Sequence, residues 1–213
     1  MMNRRMIIAT GLCALASPAL ALPFRDWTEQ TFPRRKANRF DQQGDGVAVS
    51  SDAGVSLLIR AVPEPQWLTR SARWSWSVNQ GVPATDLSRK GGDDRNLALY
   101  FVFLSAEDAD RLRGAAVRRI LTSRAARVLV YVWGGNDARG AMMQSPHLGA
   151  RGVTITLRPA GTGSYSESVD LAADYRRAFG AAPQVLFGLG LSADSDDTET
   201  SVRARVDGLK LVL

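Results

Sequence analysis

The chain has 213 residues, 27 Lys and Arg against 21 Asp and Glu, a formal net charge of +6, one cysteine and one histidine. One thiol and one imidazole exclude a disulfide framework and any zinc-type centre of histidine and thiolate ligands. The length suffices to bury one sizeable core as a single domain.

The N-terminus reads as a signal for export. Asn3-Arg4-Arg5 is a short basic start, Met6–Leu15 is an uncharged apolar run, and Ala19-Leu20-Ala21 is a small-x-small site followed by Leu22-Pro23. That order predicts a signal peptide over residues 1–21, cut after Ala21, by the Sec route or, on the paired arginines, the twin-arginine route. The apolar run is shorter than the roughly 20 residues a membrane span needs. A lipoprotein reading at Cys13 fails because Leu12 stands where a small residue belongs. Residues 22–36 are polar and broken by proline, and are expected to wrap the domain formed by residues 37–213. The remainder has no span, so the expected location is periplasmic or secreted, with no cysteine left after cleavage. Two of the positive charges leave with Arg4 and Arg5. Most of the rest is arginine at 111, 113, 118, 119, 124 and 127, on a helix-like segment without aromatics, which reads as a solvated face and not as a nucleic-acid surface.

In chain order, Val47–Ser51 and Val55–Ala61 read as strands around a hairpin-like turn, Ser51-Asp52-Ala53-Gly54. Ala72–Val78 alternates strictly, with Trp74, Trp76 and Val78 on the face expected to be buried. Leu97–Leu104 is apolar throughout and reads as a central strand covered on both sides. Ser105 caps a helix with Glu107 and Asp108 in its first turn, and Leu112, Ala116, Val117, Ile120 and Leu121 continue at helical spacing. Arg127–Trp133 and Val153–Leu157 return to strand. Ala172–Phe179 is a short helix closed by Gly180, and Val185–Leu191 and Val206–Leu213 end the chain as strands. Short strands between turn residues, with one or two short helices, predict a mainly β protein, an antiparallel β-sandwich.

Several marks in this order resemble an uncharacterised family of exported bacterial proteins known as domain of unknown function 3047. They are Ala72-Arg73-Trp74-Ser75-Trp76-Ser77-Val78, Lys90-Gly91-Gly92-Asp93-Asp94, Tyr100-Phe101-Val102-Phe103 and Val130-Tyr131-Val132-Trp133, then Asp174-Tyr175-Arg176-Arg177-Ala178-Phe179-Gly180 and Asp194-Ser195-Asp196-Asp197-Thr198. The resemblance runs from about Phe40 to the C-terminus. It implies a jelly-roll sandwich similar to galactose-binding-like and carbohydrate-binding domains. It also implies an arginine entering the strand after the paired aspartates and another before the short helix, where this chain has Ala98 and Val169. On that reading the charged network around Asp93 and Asp94 is expected to be thin.

Two constellations stand out as sites. Asp194, Asp196 and Asp197 follow an apolar run, and with Asp93 and Asp94 from another connection they are expected to meet at one end of the sandwich. Such loops suit calcium, which takes six to eight oxygens. The competing reading is a set of turns bonded to nearby backbone, with an arginine as partner. Trp133-Gly134-Gly135-Asn136-Asp137 places an aromatic ring beside polar groups at a strand end. There Trp133 is expected to stack on a sugar while Asn136 and Asp137 hold its hydroxyls, with core packing as the alternative. His147, in a loop, is expected to be solvated and without partners; no Gly-x-Ser-x-Gly elbow accompanies it. Asp207 is expected to point outward or to pair with Arg203 or Arg205. The resulting reading is a non-catalytic envelope module whose partner is a glycan. The alternatives are a domain that binds another envelope protein, and a carbohydrate-active enzyme drawing paired carboxylates from Glu167, Asp170, Asp174 and the acidic loop. The sequence leaves ligand identity, calcium and oligomeric state open.

Overall fold

The computed structural model describes residues 19–115, 119 and 123–213. Among the described residues, thirteen strands form two sheets. The first sheet contains β1 (Ala19–Ala21), β3 (Arg39–Gln43), β4 (Gly46–Asp52), β6 (Ser71–Gln80), β11 (Gly163–Asp170) and β13 (Ser201–Val212). Its order is β11-β6-β13-β4-β3, with β1 also on β13. The second contains β2 (Thr28–Thr31), β5 (Val55–Ala61), β7 (Arg95–Leu104), β8 (Arg127–Trp133), β9 (Met142–Ser145), β10 (Gly149–Arg158) and β12 (Val185–Asp194). Its order is β2-β5-β12-β7-β8-β10-β9. Neighbours in one sheet cross together into the other: β4 beside β13 becomes β5 beside β12, and β6 beside β13 becomes β7 beside β12. That paired crossing makes the β-sandwich the strand pattern predicts, in the jelly-roll arrangement the family resemblance implies. One pairing departs from the antiparallel expectation, since β8 and β10 run parallel while β9 returns along the far edge of β10.

Period-two alternation builds the core. Trp74, Trp76 and Val78 of β6 face Leu97, Leu99, Phe101 and Phe103 of β7 and Leu129, Tyr131 and Trp133 of β8, all buried in one cluster. Trp74 meets Trp76 edge-on with ring centroids 5.4 Å apart, and Trp76 meets Trp133 at 5.6 Å. Such aromatic pairs add about 0.5–1.5 kcal/mol beyond their buried area. The opposite face of the second sheet carries Ala98, Val102, Val128 and Val132, covered by Leu87, by Ala109 of α1 (Ala106–Arg111) and by Leu112. Central strands of this sheet are therefore apolar on both sides, as β7 predicts. Ser105 caps α1 by accepting from Asp108 N, and the helix closes at Leu112; Ala116, Val117, Ile120 and Leu121 lie outside the described residues. In α2 (Leu171–Phe179), Asp170 accepts from Ala173 N and Gly180 closes the helix at φ 71°.

The turn at Ser51–Gly54 is not a hairpin. It carries the chain from the first sheet to the second, because β4 pairs with β3 and β13 whereas β5 pairs with β2 and β12. Ser51 Oγ donates to Gly54 O (2.8 Å) and shares a hydrogen bond with Ser195 Oγ (2.8 Å), while Ala53 N donates to Thr200 O (2.8 Å). The two neighbouring crossings are thus stitched to each other. Within residues 22–36, Thr28–Thr31 form β2 on the edge of the second sheet, and Phe24 and Trp27 are buried. Ala19–Ala21, at the end of the expected signal peptide, pairs with Lys210–Val212. No helix among the described residues is long and apolar enough to cross a membrane.

Candidate functional site

Neighbouring strands bring the acidic residues together. Asp93 and Asp94 precede β7, Asp194 ends β12, and Asp194 stands opposite Arg95 in the ladder between them. Asp94 Oδ2 accepts from Thr198 N (2.7 Å) and Thr198 Oγ1 (2.6 Å), which ties the loop after β12 to the loop before β7. Asp94, Asp194 and Asp196 each offer a carboxylate oxygen, and these oxygens lie within 4.8 Å of one another. The expected convergence of the two connections is therefore present. Asp196 also pairs with Arg35, and Asp197 lies beside the group on the cleft wall.

Arg95 organises this corner. Its Nη1 donates to Asp93 O (2.7 Å) and Asp93 Oδ2 (3.0 Å), and lies 3.2 Å from Asp194 Oδ2. Its Nη2 donates to Tyr100 Oη (2.9 Å), which is 3.2 Å from Ser192 Oγ. Gly134 and Gly135 make room behind it. A Cβ on Gly134 would sit 2.7 Å from Arg95 Cβ, and one on Gly135 would sit 2.6 Å from Leu87 Cδ1. An arginine therefore enters the strand as Arg95 even though Ala98 is apolar, and the network around Asp93 is dense, contrary to the expectation of a thin one. Val169 is a buried core residue.

The carboxyls of the corner are driven apart in acidity. Burial pushes Asp194 up to about 9; the Arg95 charge opposes this, while a hydrogen bond with Asp196 and the charges of Asp94 and Asp196 add to it. Asp93 moves the other way: burial opposes its ionisation, but His147 and Arg95 outweigh burial and hold it below its ordinary value. Asp197 is raised by burial and by Asp196, Asp94 and Asp93. Arg95 is held firmly protonated, since Tyr100, Asp194 and Asp93 together outweigh its burial. Asp194 Oδ1 and Arg95 Nε have no hydrogen-bond partner.

The corner closes one end of a cleft of about 950 Å³ on the outer face of the second sheet. Leu57, Tyr100, Val128 and Val130 line it, with Phe32 and Leu148 alongside. Phe32 is 40% exposed.

The other expected site does not form. Trp133 is 1% exposed and packs between Trp76 and Tyr165, so it presents no ring face to a ligand. The reason is parity: on β8 it shares the inward face of Leu129 and Tyr131. Asn136 is exposed and Asp137 half-buried, and neither lines the cleft. His147 is not without partners, because its Nε2 lies 3.0 Å from Asp93 Oδ2. The carboxylates considered for an enzyme outside the acidic loop are engaged elsewhere. Glu167 is held by Arg139 and Arg158, Asp174 accepts from Tyr131 Oη (2.8 Å), and Asp170 caps α2. Asp207 pairs with Arg205 (2.8 Å), as expected, and Arg203 with Asp52. Sequence reasoning missed Arg95, Tyr100 and Ser192. The available signal was a charged residue, Arg95, directly after two aspartates and at the mouth of an otherwise apolar strand.

The chain belongs to the family described as "Protein of unknown function (DUF3047)", which matches residues 25–210 and so includes β2. A search of curated proteins finds no match. Among solved structures it is similar to the xyloglucanase domain of NopAA, a type three effector from Sinorhizobium fredii in complex with cellobiose. That match has 9% identity and a TM-score of 0.46, and covers 92% of this chain and 96% of the other. It is also similar to a cellulase derived from Cel12A of Rhodothermus marinus, at 15% identity and a TM-score of 0.46, covering 92% and 99%. A third is the family 11 xylanase from Neocallimastix patriciarum, at 9% identity and a TM-score of 0.35, covering 92% and 100%. Likeness at this level carries nothing about function, and the sandwich assignment rests on the strand order above.

Proposed function

We propose that this is an exported, periplasmic or secreted, non-catalytic module that binds a glycan in the cleft on the second sheet. The observation that supports it is the cleft itself: an open sheet face with an apolar floor and its charged groups gathered at one end. Sugars present apolar C–H faces beside hydroxyls, and a surface of this mixed character suits both. Phe32 and Tyr100 take the stacking role that the sequence assigned to Trp133. Asp197 and His147 supply polar groups to hydroxyls.

The test is retention on polysaccharides in affinity electrophoresis, with turnover measured on the same substrates. The reading expects retention without release of reducing ends, and at least about a tenfold weakening in Phe32→Ala, equivalent to one lost ring contact of about 1.4 kcal/mol. No retention on any glycan, together with capture of one envelope protein, would replace it with the protein-interaction reading. Turnover would replace it with the enzyme.

A further inference from the structure

We infer that the acidic corner of the cleft is a site for one hard divalent cation of the calcium class, held by Asp94, Asp194 and Asp196. The inference stands on the geometry of the corner and does not depend on what the rest of the cleft binds.

Three observations carry it. The first is spacing. Calcium sits about 2.3–2.6 Å from its oxygens, so oxygens facing each other across it lie at most about 4.6–5.2 Å apart. The three carboxylate oxygens lie within 4.8 Å of one another, close enough for one such ion to reach all three. The second is an unsatisfied atom. The Asp194 side chain is 9% exposed, and its Oδ1 has no hydrogen-bond partner although its Oδ2 meets Arg95. A buried polar atom without a partner is costly, and here its neighbours are two further carboxylates. The third is charge. Asp93, Asp194, Asp196 and Asp197 line this end of the cleft with Asp94 beside them, against Arg95, Arg35 and Lys90 and with His147 engaged by Asp93. That leaves a negative surplus beside the orphaned oxygen. The turn reading with its arginine partner accounts for Asp94 Oδ2, which accepts from Thr198, and for Asp194 Oδ2, which meets Arg95, but not for Asp194 Oδ1.

All-oxygen donors suit a hard ion and not zinc or copper. Ser192 and the backbone of the Asp196–Thr198 turn lie close by in sequence, and water would complete the shell.

The test is calorimetric titration and thermal melting of the EDTA-treated protein with calcium chloride, and separately with magnesium chloride. Calcium at about 1 mM, the weak end of extracellular sites, is expected to raise Tm by a few degrees and to titrate to one equivalent. Asp194→Asn abolishes both effects, and Asp137→Asn, outside the corner, leaves them intact. Should Asp194→Asn fail to fold, Asp196→Asn, on the loop after β12, is expected to weaken calcium at least about tenfold. Absence of heat and of any Tm shift with either ion overturns the site and leaves a shared proton between Asp194 and Asp196 in its place. A calcium response that survives both substitutions overturns it equally. Glycan retention is scored apart from this, so loss of retention with calcium binding intact sinks the glycan proposal alone.

Discussion

Two buried carboxyl groups in this sandwich have opposite fates. Glu167, on the edge strand β11, has a side chain with 0% exposure, and every oxygen is answered. Its Oε1 accepts from Arg158 Nε (2.8 Å) and Trp76 Nε1 (3.2 Å), and its Oε2 from Arg139 Nη2 (2.8 Å). Asp194, at the end of β12, shares one guanidinium with Asp93, faces two more carboxylates and keeps one oxygen without a partner. Burial alone does not mark a functional acid. A buried charge with a full set of donors braces the fold, whereas one left short of donors at the edge of a cleft is available to something outside the chain.

The comparison breaks most readily at Glu167. Glu167→Ala strands two arginines and the Trp76 indole, and is expected to cost about 3 kcal/mol, the lower end for a broken buried pair because both arginines reach solvent. Urea unfolding measures it; a loss under 1 kcal/mol would mean that Glu167 is no brace. Asp194→Asn, by contrast, replaces a carboxyl that already holds its proton at neutral pH with a neutral amide of the same shape. In metal-free protein at neutral pH it is expected to leave stability unchanged or to raise it.

A pH series sharpens the contrast. The folded state keeps the Asp194 proton up to about pH 9, whereas the unfolded chain releases it near the ordinary value of 3.8. The unfolded state therefore gains as pH rises between those values, and this contribution, full below about pH 4, is lost on the way to about pH 9. Melting of the EDTA-treated protein is expected to fall steadily from about pH 5 to about pH 8.5, and Asp194→Asn to flatten that slope. Asp93 has a lowered value, so its contribution is lost only as pH falls below about 4 and does not mask the effect. A flat wild-type profile would show that Asp194 is ionised in the folded protein.

Smaller effects follow at the periphery of each cluster. Tyr100→Phe removes the acceptor of Arg95 Nη2 and is expected to cost about 1–2 kcal/mol. Ser51→Ala cuts the stitch to Ser195 between the two sheet crossings and is expected to cost about 1 kcal/mol. Both are read from the midpoint of urea unfolding, and a neutral Ser51→Ala would mean that backbone bonds alone hold the crossings together.

Most of the strands were legible because period-two alternation and turn residues are local. β6 and β7 stand where Trp74, Trp76, Val78 and the run Leu97–Leu104 put them. The site was legible in part. Pairing of β7 with β12 brings Asp93, Asp94 and Asp194 to one end, and the two acidic connections announced that meeting. Trp133 was misplaced because a glycine pair beside an aromatic looks like a rim. Here those glycines instead let the backbone pass close against Arg95 and Leu87. His147 escaped because its partner, Asp93, lies 54 positions away.

The sequence by itself determined the strands, the helix caps and the inward face of each ribbon, since these follow from neighbours a few positions apart. Only the tertiary structure decided that Ser51–Gly54 crosses between sheets, that Arg95 is shared by two carboxylates, and that the outer face of the second sheet is covered at one end and open at the other. The physical reason is range. Alternation and capping are read within a few residues, whereas the charge on Asp194 depends on groups delivered by three separate stretches of the chain.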